Sequence, residues 1–172
     1  MINLLKVLRK IDLQVIDFVN KHRNVFLDDF MLFVTRLGNM GLIWLLIAII
    51  LLSNKTYHYY GTELLEAIVI GAIICNLVLK PIFERIRPYD RYPNLTRILP
   101  RLNDYSFPSG HTLASFSSAT ILFQINSVVG ILSFSLAFLI AYSRLYLNVH
   151  YFTDVFFGMI IGILVSLSII IF

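Results

Sequence analysis

Two kinds of pattern run along the chain, one amphipathic and the other almost wholly apolar. In residues 4–22, Leu4, Leu8, Ile11, Val15 and Phe18 fall on one helical face, while Lys6, Arg9, Asp17 and Lys21 lie elsewhere. That spacing predicts an amphipathic helix lying in a membrane interface. Phe30 to Leu52 is apolar apart from Arg36 and a few small polar residues, and Val155 to Phe172 carries no charge. Tyr105 to Ser143 contains one ionisable side chain of note, His111. At about 1.5 Å per residue that stretch is far longer than a hydrocarbon core of roughly 30 Å. It therefore predicts two spans, with the turn marked by Gln124, Asn126, Ser127 and Gly130. In all, spans are expected near 30–52, 64–83, 110–125, 127–147 and 152–172, with a sixth if residues 4–22 insert. A polar turn (Ser53 to Thr62) and one long loop (Glu84 to Phe107) separate the first three.

The predicted fold class is all-α: an integral membrane helical bundle of five to six transmembrane spans with an N-terminal amphipathic helix. Composition agrees. Of 172 residues, 58% are hydrophobic and 14% charged, against about half and a quarter in a soluble domain. The length suits a single domain, 1–172, with residues 1–24 as an interfacial helix and 84–108 as a loop over the site. Cys75 is the one cysteine, so no disulfide framework or cysteine zinc site can form within the chain, and it is read as a packing residue. Asp12, Gln14 and Asp17 interrupt any apolar core of a cleavable signal peptide. The net charge of +4 points to anionic lipid or phosphate as partner. No domain-sized soluble segment remains that could take a nucleic acid.

Because spans alternate direction, the end of the second, the start of the third, the end of the fourth and the start of the fifth share one face. Lys80 and Arg87 follow the second span, Ser109 and His111 open the third, Ser143 and Arg144 close the fourth, and His150 and Asp154 open the fifth. Ionisable groups beside membrane spans are costly and usually functional. Scattered structural charges have no reason to gather at one end.

The chemistry of that set is specific. Lys80, Arg87 and Arg144 supply three cations; guanidinium groups match phosphate oxygens in a fork and lysine acts as a point charge. Together they could balance a phosphoryl dianion and the charge that develops on its oxygens. In Pro108-Ser109-Gly110-His111, Ser109 can cap a helix, Gly110 lets backbone approach a ligand, and the free N–H groups form an anion site. His150 and Asp154 are four apart and share a helix face. The carboxylate can accept Nδ1–H and leave Nε2 free to attack phosphorus, while His111 can protonate the leaving oxygen. His22 and His58 are read as surface residues, and Arg85, Arg91 and Arg97 as cations that snorkel at the interface. Two histidines and an aspartate could also hold zinc, but the neighbouring cations would repel a divalent ion, so neither a metal nor another cofactor is expected.

The segments Lys80-x6-Arg87-Pro88, Pro108-Ser109-Gly110-His111 and Ser143-Arg144-x5-His150-x3-Asp154 resemble the three-part signature of the type-2 phosphatidate phosphatase superfamily, with every position filled. The match covers residues 80–154. The resemblance implies a helical bundle, a metal-independent hydrolase and a phosphohistidine intermediate. It implies His150 as nucleophile, Asp154 as its partner and His111 as acid, with Lys80, Arg87, Ser109, Gly110, His111 and Arg144 holding phosphate. The short chain is similar to compact bacterial members that act on undecaprenyl diphosphate or phosphatidylglycerol phosphate, which suggests a multi-pass protein of a bacterial plasma membrane. A phosphotransferase with a non-water acceptor and a non-catalytic lipid-phosphate binder or transporter remain the rival readings. Membrane side is in conflict. The positive-inside rule, taken literally, puts the cation-rich face in the cytoplasm, whereas the resemblance implies an extracytoplasmic site.

Overall fold

The computed structural model describes residues 2–172, with side chains from residue 4 onward. The chain is helical, and among the described residues there is no strand. Helices α1 (Ile2–Lys21), α2 (Val25–Leu37) and α3 (Leu42–Leu52) are followed by α4 (His58–Ile73), a π-helical segment (Ile74–Leu79), α5 (Lys80–Phe83) and α6 (Pro88–Arg91). The bundle ends with α7 (Gly110–Phe123), α8 (Ser127–Tyr146) and α9 (Phe152–Ile171).

By length and apolarity, three stretches can cross a membrane: His58–Arg91, Ser127–Tyr146 and Phe152–Ile171. A fourth arises if Val25–Leu37 and Asn39–Leu52, bent by 44°, are one broken span. The bend falls where Met40 and Gly41 take left-handed backbone angles, which interrupts the helical ladder. Helix α7 has 14 residues and rises only about 21 Å. It lies within the bundle, packed against α4, α8 and α9, with most of its residues buried on every side.

Small residues set how closely α7 and α9 approach. A Cβ at Gly158 would sit 2.8 Å from the Ser109 carbonyl oxygen, and one at Gly162 2.4 Å from that of Leu113. Ser166, one turn further on, donates to the Ser117 carbonyl at 2.8 Å. Gly158, Gly162 and Ser166 thus line one face of α9 at a spacing of four, the small-residue pattern that lets helices touch backbone to backbone in lipid. Polar contacts fix the remaining helices on α7 and its neighbours: Trp44 Nε1 donates to Ser115 Oγ at 3.0 Å, and Gln124 to Glu63 at 2.7 Å. The expected turn between α7 and α8 falls at Gln124–Asn126, where Asn126 caps α8. The second predicted span begins earlier than its apolar run, because the helix already starts at His58.

The α1–α2 corner docks beside the α8–α9 turn. Asn20 and Asn148 exchange amide hydrogen bonds at 3.1 and 3.0 Å, and Tyr146 Oη donates to Asp28 at 2.9 Å.

Candidate active site

Four helix ends deliver the unusual polar residues to one place. Pro81 lacks an N–H and its ring crowds the carbonyl four residues back. The helix widens to π pitch over Ile74–Leu79, just ahead of it, a distortion common beside functional sites. Lys80 emerges from that turn 8% exposed and bonds to Asn76 Oδ1 at 2.7 Å. Glu84 then takes left-handed angles, ending α5, and the chain runs on to Arg87. At the other end of the set, Asn148 sits at φ 56°, a region that asparagine tolerates. Its turn folds both Val149 N–H and His150 N–H back onto the Arg144 carbonyl, at 3.2 and 3.3 Å. Arg144 and His150 are thereby locked together at the α8–α9 junction.

Lys80, Arg87, Gly110, His111, Arg144 and His150 all line one cavity of about 670 Å³. Its inner wall is polar, and Met40, Ile68, Leu113 and Leu99 form an apolar side. Ser109 and Asp154 do not line it. Ser109 is fully buried and caps α7, its Oγ accepting from Thr112 N at 3.4 Å and Thr112 Oγ1 at 2.9 Å. The expectation that Ser109 can cap the helix is met, and any part it takes in holding phosphate runs through the helix end that it caps. What it offers the site is an ordered helix N-terminus, whose Gly110 backbone lies close to Lys80 Nζ.

His150 is 3% exposed. Its Nδ1 lies 2.7 Å from the Ser106 carbonyl oxygen and 3.6 Å from Asp154 Oδ2. The Nδ1–H therefore donates to the backbone, and the expected direct bond to the carboxylate is replaced by a two-step link. Ser106 Oγ donates to Asp154 Oδ2 at 2.5 Å. With Nδ1 protonated, Nε2 carries the lone pair, and Arg87 Nη1 donates to it at 3.2 Å. Burial pushes the His150 pKa well below its ordinary value, and Arg87, Arg144 and Lys80 add to the effect. The imidazole is neutral at pH 7, the form in which Nε2 can attack an electrophile. His111 Nε2 lies 3.0 Å from Asn39 Oδ1; as the N–H tautomer it donates to that amide, which orients the ring.

The cations differ in how many donors they have left. Arg87 has all five N–H groups engaged: with the Asp104 carbonyl (3.0 Å) and carboxylate (2.7 Å), the Val149 carbonyl (2.8 Å), the Tyr105 carbonyl (3.3 Å) and His150. Lys80 bonds Asn76 and Asp104 and keeps one N–H directed to neither. Arg144 is 3% exposed and donates to Thr35 Oγ1, and its Nε has no partner among the described residues. A buried guanidinium with unspent donors beside a neutral imidazole is suited to receive an oxyanion.

Asp104, Arg85, Asp12 and Ser106 escaped the sequence reading. Asp104 places its carboxylate between Lys80 Nζ (2.5 Å) and Arg87 Nη2 (2.7 Å). Burial alone would raise its pKa, but the two cations overcome that and hold it down to about 2. Arg85, read above as a snorkelling cation, is instead clamped between Asp154 Oδ1 (2.5 Å) and Asp12 Oδ2 (2.6 Å). Asp12 is 2% exposed and also accepts from Thr153 N and Oγ1, both at 2.9 Å. Arg91 is exposed, and Arg97 lies 5.8 Å from the Tyr89 ring centre. His22 and His58 are exposed and bond only to nearby carbonyls, and Cys75 is buried.

Known proteins resemble this chain in sequence and fold. The chain is 31% identical over 157 residues to an undecaprenyl-diphosphatase of Sulfolobus acidocaldarius, covering 90% of this chain and 75% of that protein. It is 32% identical over 154 residues to phosphatidylglycerophosphatase B of Bacillus subtilis, covering 83% and 73%. The crystal structure of Aquifex aeolicus LpxE superposes with a TM-score of 0.84 at 30% identity, over 93% of this chain and 94% of that one. The sequence profile of the PAP2 superfamily matches residues 60–172, which takes in Lys80, Arg87, His111, Arg144 and His150 of the cavity, and the chain belongs to that superfamily of phosphatases.

Proposed function

We propose that this membrane phosphatase hydrolyses a phosphomonoester or diphosphate on a lipid, with His150 as nucleophile. The observation that carries the reading is the state of His150: buried, neutral, its Nδ1–H held by Ser106, its Nε2 accepting from Arg87. Nε2 attacks phosphorus and the P–O bond to the leaving group breaks; His111, made imidazolium by a proton taken up as the phosphate binds, gives that proton to the leaving oxygen. Arg144 and Lys80 take the equatorial oxygens, with the α7 N-terminus at Gly110 beside them. Arg87 shifts from His150 to the phosphoryl group as the N–P bond forms. Water then attacks the phosphohistidine, His111 removing its proton, and phosphate leaves. Asp154 stabilises the imidazole through Ser106 and holds Arg85.

The preferred substrate is undecaprenyl diphosphate, after the Sulfolobus relative; phosphatidylglycerol phosphate is the second, after the Bacillus one. The apolar wall at Met40, Ile68 and Leu113 gives the first part of a tail its exit. In membrane terms the bent α2–α3 unit, α4 with its π segment, α7, α8 and α9 form five spans, with α1 in the interface. We place the cavity on the extracytoplasmic side of the plasma membrane; a reporter at Phe172 found outside the cell would overturn that. Residues 84–108 form the loop over the site.

The test of the reaction is His150→Ala in detergent. Phosphate release is expected to vanish while the fold persists, and the wild type is expected to ignore EDTA. Labelled phosphate trapped on His150 by a basic quench would support the intermediate, and full turnover in the variant would refute the mechanism. Diphosphate and monophosphate lipids compared side by side decide the substrate.

A further inference from the structure

A second hollow, of about 680 Å³, opens between α1, α5 and the first turns of α9. No residue lines both it and the catalytic cavity. Its walls are apolar, with Leu5, Leu8, Leu13, Phe83, Phe157 and Ile161 among them, and its charged residues are Arg9, Arg85, Arg91 and Asp12. Asp12 is spent on Arg85 and Thr153. Arg9 and Arg91 are exposed, and neither forms an ion pair among the described residues.

We propose that this hollow is a regulatory site for one anionic phospholipid of the surrounding leaflet. Its phosphate sits against Arg9 and Arg91 and its acyl chains lie along Leu5, Leu8, Phe83 and Phe157. Charge complementarity selects the occupant. Three guanidinium groups face one committed carboxylate, so an anion is favoured; the ammonium of a zwitterionic headgroup is repelled. A free anion would leave the apolar walls unfilled.

The site's consequence runs through Arg85. That guanidinium lies on the wall of the hollow, 3.9 Å from the Tyr151 ring centre, and it joins Asp12 of α1 to Asp154 of α9. A lipid whose phosphate bridges Arg9 of α1 and Arg91 of α6, and whose chains lie on Phe157 of α9, holds α1 in place and so keeps Asp12 on Arg85 and Arg85 on Asp154. Occupancy therefore raises turnover. This rate effect rests on the proposed roles of His150 and Asp154; the binding does not.

The binding test is native mass spectrometry of delipidated protein titrated with phosphatidylglycerol. The double variant Arg9→Gln/Arg91→Gln is expected to retain it about thirtyfold more weakly than the wild type, from roughly a fivefold step per cation at a membrane surface. Phosphatidylcholine should be retained alike by both. Both arginines are exposed, so the fold should tolerate the change. Equal retention of phosphatidylglycerol by both proteins overturns the site. The rate test uses a water-soluble short-chain phosphate, so that substrate delivery is not limiting, in nanodiscs of phosphatidylcholine with or without phosphatidylglycerol. The wild type should run severalfold faster with the anionic lipid, and this ratio should fall to about one in the double variant. An equal ratio in both proteins would mean a bulk surface-charge effect and overturn the coupling. Absence of turnover in every disc would count against the phosphatase reading and leave the retention result standing.

Discussion

His150 Nδ1 lies 2.7 Å from the Ser106 carbonyl and 3.6 Å from the Asp154 carboxylate, so backbone, and not carboxylate, holds the ring's proton. Asp154 works one residue behind, accepting from Ser106 Oγ, Arg85 and the Tyr151 N–H. Two substitutions should therefore differ. Ser106→Ala keeps the carbonyl and removes one bond to Asp154, which should lower kcat about tenfold, the worth of a bond of roughly 1.4 kcal/mol. Asp154→Asn strips Arg85 of a buried partner, a loss of about 3–5 kcal/mol. It should reduce kcat a hundredfold or more and lower Tm as well. Equal losses in the two variants would mean that the carbonyl does not orient the ring.

The state of His150 sets the acid limb of the pH profile. Burial and the three cations depress its pKa, so the ring stays neutral well below its ordinary value of about 6.5. On this account kcat/KM should hold as pH falls through 6.5 and drop only at more acid pH. Stability follows the same sign. Below about pH 6.5 the unfolded chain protonates this histidine and the folded chain does not, so the unfolded state binds more protons and stability falls with pH. Activity halved near pH 6.5 by protonation of His150 would contradict the assignment.

Much of the site was legible because membrane spans alternate in direction. Parity alone brings Lys80, Arg87, His111, Arg144 and His150 to one cavity, as observed. The residues that escaped sit where no such rule applies. Arg85, Asp104 and Ser106 lie in the long loop between spans, whose path depends on contacts with distant segments. Arg85 meets Asp12, 73 positions away. Asp12 was read only as an interruption of an apolar run, and its burial against Thr153 has no local signature. A signal for Asp104 did exist: it is the sole carboxylate between Asp90 and Asp154 in a stretch that holds Arg91, Arg97, Arg101 and Arg144. The π turn before Lys80 was hidden because its residues are ordinary helix formers; only Pro81 hinted at it. Ser109 was legible as the cap of α7, which it is, whereas the burial that keeps its side chain from lining the cavity depends on packing.

Asp104 competes with phosphate for two of the three cations. Its carboxylate sits on Lys80 and Arg87 and is 47% exposed, so it can move aside for an incoming anion. Asp104→Asn removes one negative charge from the cradle. A unit charge at about 4 Å in a watery site is worth ~1 kcal/mol. Inorganic phosphate should then inhibit about fivefold more tightly in the variant, while kcat falls because Lys80 and Arg87 lose an orienting partner. Weaker inhibition by phosphate would show that Asp104 organises the cradle without occupying it.

The contact between α7 and α9 should be as sensitive as the site it supports. Gly162 is buried, and a Cβ there would meet backbone, the Leu113 oxygen at 2.4 Å and the Ser117 nitrogen at 3.1 Å, which no side-chain rotation can relieve. Gly162→Ala must push the helices apart, at a cost of about 1–3 kcal/mol from overpacking, offset by at most ~1 kcal/mol of helix propensity. Because α9 carries Asp154 and its carbonyl accepts the Ser109 N–H at 3.1 Å, the shift reaches the N-terminus of α7 and His111. A lower Tm and a lower kcat should therefore appear together. Ser168→Ala, on the exposed side of the same helix, loses only a bond to the Val165 carbonyl one turn back, leaves the α7–α9 contact alone and should move neither. Loss of activity in Gly162→Ala at unchanged Tm would show that this contact is not what holds the two helix ends in register.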